Sequence, residues 1–117
     1  MTTRMEAVGF VLAFTLGLLG VLAPPASAQA PVEVKLSMEK DKFVPAELRV
    51  KAGRPIILVL TNADDITHEL DIPDLRLEKK VRPGQTVKLQ LPALKPGPYK
   101  LIDDDSTPVL NGIMIAE

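Results

Sequence analysis

The sequence predicts an all-β domain, a Greek-key β-sandwich of seven or eight short strands, and three observations carry that expectation. Apolar and polar residues alternate along "VEVKLSM", where Val32, Val34, Leu36 and Met38 are interleaved with Glu33, Lys35 and Ser37. A period of two marks a half-buried strand. The pairs Pro83-Gly84 and Pro96-Gly97 punctuate the second half. Such pairs suit tight turns, because proline presets φ and glycine accepts a positive one. Finally, short apolar stretches recur between turn signals with no helical pattern among them, which is how a sandwich reads.

Taken in order, "ELRVKAG" repeats the alternation with Leu48 and Val50 and turns at Gly53. "PIILVLTN" is a continuous apolar run, the pattern of a central strand covered on both faces. "ELDI" is short and alternating, and "RLEKKV" is a weaker strand. "RPGQ" then turns into "TVKLQL", where Val87, Leu89 and Leu91 alternate again. "KPGP" leads into "YKLI", and "GIMIAE" closes the domain. In "LKPGPY" a leucine, a turn and a tyrosine follow one another, as in the tyrosine corner of Greek-key sandwiches.

Residues 1–28 read as a secretory leader and 29–117 as one domain. Arg4 precedes a 17-residue uncharged apolar run, "AVGFVLAFTLGLLGVLA", and then the small residues of "PPASAQA". That is the order of a cleaved signal peptide, with Ala26-Ser27-Ala28 as the best cleavage match and Ala28-Gln29-Ala30 as its competitor. The apolar run reaches the lower edge of membrane-spanning length, so an uncleaved anchor is the competing reading. The proline pair and the A-x-A favour cleavage. The expectation is a periplasmic domain with no stable membrane insertion.

Composition excludes several chemistries. The chain contains no cysteine, which removes thiolate-zinc, iron–sulfur, haem-attachment and disulfide roles. Lys and Arg total 14 against 15 Asp and Glu, and the leader holds one of each, Arg4 and Glu6. The domain is therefore close to charge balance, which is not the profile of a nucleic-acid binder.

The ordered series "FVPAELRVKAG", "ILVLTN", "THELDI", "RPGQTVKLQL", "LKPGPYKL" and "NGIMIAE" resembles the cupredoxins over nearly the whole domain. Blue-copper members carry their first copper histidine a few residues after an asparagine that ends a strand. Asn62 and His68 stand at those places. The family's remaining ligands, a Cys, a His and a Met, follow a Y-x-x-x stretch. Here Tyr99 leads to Asp103, Ser106 and Leu110 at or near those positions, so the resemblance does not extend to a blue-copper electron carrier. "NADDITHEL", "LRLEKKV" and "YKLIDDD" are similar to the periplasmic cupredoxin-like components of bacterial high-affinity iron uptake systems. That resemblance implies a copper or iron ion bound through histidine and carboxylates, with Glu69, Asp103 and Asp104 at acidic positions. It also implies a membrane iron permease, or its periplasmic components, as partner, with assistance to the metal's oxidation as a conceivable activity.

Strand parity bears on the same residues. His68 shares parity with Leu70 and Ile72, and Asp103 with Leu101 and Tyr99, so both aim at the inner rim of the sandwich. Glu69 then falls on the opposite face unless the strand twists or bulges. Asp103, Asp104 and Asp105 repel one another unless a cation or a basic side chain offsets the charge, and Asp64 and Asp65 lie on the loop expected beside them. The candidate metal ligands are His68, Glu69, Asp103 and Asp104. Carboxylate and imidazole suit Cu(II), iron and manganese, whereas Cu(I) prefers sulfur. Met38 and Met114 sit in strand patterns as core, which argues against a methionine-rich Cu(I) carrier. Calcium stays open, although the acids lack the spacing of a D-x-D-x-D-G loop. Ser106, Thr107 and His68 form no hydrolase motif. The other reading is that DDDST is a solvated turn, on a metal-free cupredoxin fold that binds a partner through its acidic end or a sheet edge.

Overall fold

A computed structural model describes residues 30–117. The leader expected over 1–28 and its cleavage site lie outside the described residues. Among the described residues, no helix is long and apolar enough to cross a membrane.

Among the described residues, nine strands form two packed sheets: β1 (Val32–Met38), β2 (Phe43–Val44), β3 (Glu47–Val50), β4 (Ile56–Asn62), β5 (His68–Ile72), β6 (Leu77–Val81), β7 (Thr86–Leu91), β8 (Gly97–Asp103) and β9 (Leu110–Ala116). One sheet has the order β2-β1-β4-β7 and the other β3-β9-β8-β5-β6. The chain crosses between the sheets at β2–β3, β3–β4, β4–β5, β6–β7 and β7–β8, so the all-β sandwich expectation holds. The strand beyond the expected seven or eight is β2. It is two residues long and stops before Pro45, yet it pairs Phe43 with Met38 and buries the phenyl ring.

Alternation decides which side chains meet between the sheets. Leu36, Met38, Leu58, Leu60, Leu70, Leu101 and Met114 are all buried there. Each fully buried apolar side chain of this size contributes roughly 1.5–3 kcal/mol. One expectation is corrected by β4. It is central, between β1 and β7, but only Ile56, Leu58, Leu60 and Asn62 are buried, whereas Ile57, Val59 and Thr61 on the other face are half-buried. Among the described residues no third layer of strands lies over that face.

Two turns hold the ends of the site-bearing strands. Tyr99 donates its hydroxyl proton to the Lys95 carbonyl at 2.9 Å, the contact a tyrosine corner makes. At the turn before β7, Gly84 adopts φ +74°, and its N–H donates to the Asn62 carbonyl at 2.9 Å. That bond fixes the end of β4, from which the next loop departs toward β5.

Candidate functional site

β5 has two chemically different faces. His68, Leu70 and Ile72 point inward and are buried, while Glu69 and Asp71 point outward and are half-buried. β8 follows the same rule, with Leu101 and Asp103 buried and Ile102 half-buried between them.

On the inner face His68 lies between two carboxylates. Its Nδ1 is 2.7 Å from Oδ2 of Asp103 and its Nε2 is 2.9 Å from Oδ2 of Asp64. The His68 and Asp103 side chains are fully buried, and that of Asp64 is 8% exposed. Burial by itself would push the imidazole pKa down. Hydrogen bonds to Asp64 and Asp103, with the charges of both, outweigh it and the net shift is upward. Where both carboxylates are ionised they can only accept hydrogen bonds, so both ring nitrogens donate and the ring is an imidazolium. Asp64 in turn is held below its ordinary range, chiefly by the hydrogen bond from His68 and then by the Asp65 N–H.

The surrounding backbone completes this network. Asp103 Oδ2 also accepts from the Glu69 N–H at 3.2 Å, and its Oδ1 accepts from the Asp105 N–H at 3.1 Å. Ser106 donates its hydroxyl proton within its own loop, to the Asp103 or Pro108 carbonyl. Asn62 is buried; its Nδ2 donates to the carbonyls of Ile66 and Val81, and its Oδ1 accepts from the Asp64 N–H. This asparagine shapes the loop that carries Asp64 back to the histidine.

The outer face gathers a second set of acids. Glu69, Asp71 and Glu78 each offer an oxygen, and these atoms lie within 4.8 Å of one another. Asp71 and Glu78 are direct cross-strand partners between β5 and β6, an arrangement that is destabilising for like charges. Both β5 acids are pushed upward. For Glu69 the leading cause is a hydrogen bond shared with the Asp105 carboxyl; for Asp71 it is burial, followed by the charges of Glu78 and Asp104. Oδ1 of Asp71 is buried and has no hydrogen-bond partner among the described residues. A raised carboxyl pKa means that the fold disfavours the ionised form, so at neutral pH this group costs stability, and the cost is relieved as pH falls. Asp71→Asn should therefore raise the unfolding midpoint in metal-free, low-salt buffer by about 2–4 °C, corresponding to roughly 0.5 kcal/mol. Calorimetry at low and high salt checks this, because screening should shrink the gain.

The four candidate ligands thus divide into two groups. His68 and Asp103 come together as parity requires. Glu69 does not join them: only its backbone N–H reaches Asp103, and its carboxylate is on the outer face. Asp104 follows the end of β8, is exposed, and faces the outer acids from across a cleft that it lines with Asp71 and Glu78. Asp64, Asp71 and Glu78 were absent from the candidate set. Asp71 shares parity with Glu69 and could have been found that way, whereas Glu78 needed the register of β6.

A family model described as "Cupredoxin-like domain" matches residues 11–116. The chain belongs to the cupredoxin-like domain family. An uncharacterized protein of Rickettsia prowazekii (strain Madrid E) is 36% identical over 84 residues, covering 72% of this chain and 67% of that protein. Nitrous-oxide reductase of Cupriavidus necator is 34% identical over 71 residues, which are 58% of this chain but 11% of the reductase. In three dimensions this cupredoxin-like domain is similar to the metal-binding domain of the Streptococcus pneumoniae D39 Cu(I)-exporting P-type ATPase CopA, solved with Cu(I). The TM-score is 0.65 at 13% identity, over 79% of this chain and 92% of that one.

Relatives of the cupredoxin-like fold bind copper, but the inner-face residues here do not fit a blue-copper centre. Such a centre needs a thiolate, and Asp103 stands where the resemblance places it. Leu110, fully buried, stands in place of the thioether, and both nitrogens of His68 already hold carboxylates.

Proposed function

We propose that this cupredoxin-like domain binds a divalent cation of hard or borderline character, iron(II), copper(II) or manganese(II), on the outer-face carboxylates of β5 and β6. The reading places the domain in the periplasm, where it would present the ion to a membrane permease of an iron-uptake type. The observation that carries the cation site is the convergence of Glu69, Asp71 and Glu78 within 4.8 Å. Oxygen-only ligands select this class of ion over Cu(I). A bound cation would also relieve the like-charge pairing of Asp71 and Glu78, which otherwise only costs stability.

The sealed state of His68 favours a second reading for the sandwich end, a metal-free fold whose buried ion network replaced a metal. One experiment separates the two. The protein is titrated with Mn(II), Cu(II) and, anaerobically, Fe(II), while the unfolding midpoint is followed. A saturating ion at about 100 times its Kd should add roughly 2.7 kcal/mol of stability, and Asp71→Asn and Glu78→Gln should each remove most of that gain. An unchanged midpoint at millimolar metal sinks the cation reading and leaves the metal-free fold. A gain lost only on replacing Asp103 would move the ion to the inner face.

A further inference from the structure

The outer acids open onto a cleft of about 610 Å³ lined by Asp71, Pro73, Arg76, Leu77, Glu78, Lys100, Ile102 and Asp104. Space of that size suits a small organic molecule and exceeds what a bare ion needs. Its walls combine three kinds of chemistry. Asp71 and Glu78 belong to the proposed cation site, Leu77 and Ile102 are half-buried apolar side chains, and Arg76 and Lys100 are cations. Neither cation makes an ion pair within 4.0 Å among the described residues, although three carboxylates line the same cleft.

Arg76 occupies an unusual backbone position. It ends the short 3-10 turn Pro73–Leu75 at φ +53° and ψ +42°, with its N–H donating to the Pro73 carbonyl. A left-handed conformation costs a side-chain-bearing residue roughly 1–2 kcal/mol, and glycine would avoid that cost. Lys100 is set by β8, whose register aligns Ile102 with Asp71 of β5. Lys100, Ile102 and Asp104 share one outward parity, two residues apart. The cleft therefore has cations on the rim of an acidic site, over an apolar floor.

From this arrangement we infer that the cleft takes the cation together with an organic polycarboxylate, whose carboxylates pair with Lys100 and Arg76 and whose carbon skeleton lies over Leu77 and Ile102. The inference rests on the cation site proposed above and names the form in which the ion is held. Three protein oxygens leave positions open on a hard ion that takes six or more ligands, and an anionic co-ligand can fill them. The carboxylates of Asp71, Glu78 and Asp104 would repel that anion on their own. Lys100 and Arg76, which make no ion pair among the described residues, offset the repulsion.

The test is equilibrium dialysis of the protein against radiolabelled citrate, with and without Mn(II), alongside Mn(II) alone and Mn(II) with inorganic phosphate. Citrate should be retained at one per protein only when Mn(II) is present. The Lys100→Met/Arg76→Met double variant should lose citrate at least tenfold while still retaining Mn(II) supplied alone. If Mn(II) binds but citrate does not follow it, or follows equally in the double variant, the co-ligand inference is wrong and the cation site stands. If phosphate is retained as well as citrate, the apolar floor plays no part and the polycarboxylate assignment fails. If neither Mn(II) nor citrate is retained, the cation site itself fails and takes the inference with it.

Discussion

Replacing His68 by leucine is expected to destabilise the domain by about 3–5 kcal/mol, the loss seen when one partner of a buried ion pair is removed. Domains of this kind have a total stability of only about 5–15 kcal/mol, so the variant should sit close to unfolding. The loss comes from what is left behind. Asp103 is fully buried, and without the imidazolium its carboxylate keeps only the N–H groups of Glu69 and Asp105. Replacing both members, His68→Leu with Asp103→Leu, should cost less than the sum of the two single changes, because no orphaned charge remains at the centre of the network. The pH profile supplies a second signature. The raised His68 pKa means that its contribution is fully present below the ordinary histidine value of 6.5 and is lost as pH rises through the folded-state pKa. The lowered Asp64 pKa contributes stability above the ordinary value of 3.8, lost as pH falls through the folded-state pKa. Wild-type stability from this network should therefore be greatest between those limits and decline on the alkaline side. His68→Leu should abolish that alkaline decline. Chemical denaturation at several pH values measures both effects, and a variant within 1 kcal/mol of wild type at pH 6 would refute the network's role.

The inner pair was legible in the sequence because parity needs only local information. His68 travels with Leu70 and Ile72, Asp103 travels with Leu101, and a Greek-key sandwich brings those two strands into one sheet. Glu69 and Asp104 were grouped with them because the family resemblance sets them at acidic positions, although parity already put Glu69 on the other face. In an extended strand, adjacency places side chains on opposite faces, and that separates Glu69 from His68. Asp104 parts from Asp103 in the same way at the end of β8. The pairing of Asp71 with Glu78 was not legible, because it depends on the register of β5 against β6. That register is set by the Pro73–Leu75 turn and by Arg76 in a left-handed conformation, which nothing in "IPDLRL" announces. The two-residue β2 escaped for a related reason: Phe43 and Val44 are too short a run to show alternation, and their strand exists through pairing with β1. Asp64 joined the histidine through a loop whose shape comes from a buried side chain.

That side chain belongs to Asn62, and Asn62→Ala is expected to cost about 2–4 kcal/mol. Asn62 is fully buried, and its amide satisfies three backbone groups: the Ile66 carbonyl at 2.7 Å, the Val81 carbonyl at 2.8 Å and the Asp64 N–H at 2.8 Å. Each buried polar group left without a partner costs roughly 1–3 kcal/mol. The Val81 carbonyl is sealed from solvent, whereas the other two lie closer to the surface and can recover part of the loss from water, which is why the three costs do not simply add. Asn62→Asp should be at least as damaging despite its matching shape, because it turns a charged oxygen toward two carbonyls that need a donor. The larger consequence is at the histidine. Without the Asn62 bond the loop no longer holds Asp64 against Nε2, while the ring stays buried beside Asp103. Burial then opposes the imidazolium with one hydrogen bond fewer against it, and the His68 pKa should fall from its wild-type value. The chain contains one histidine, so in protein lacking a histidine tag the titration of its ring proton resonance is unambiguous. An Asn62→Ala protein that loses stability but keeps the wild-type His68 titration would show that Asp64 finds the ring without help, and that the asparagine only supports the fold.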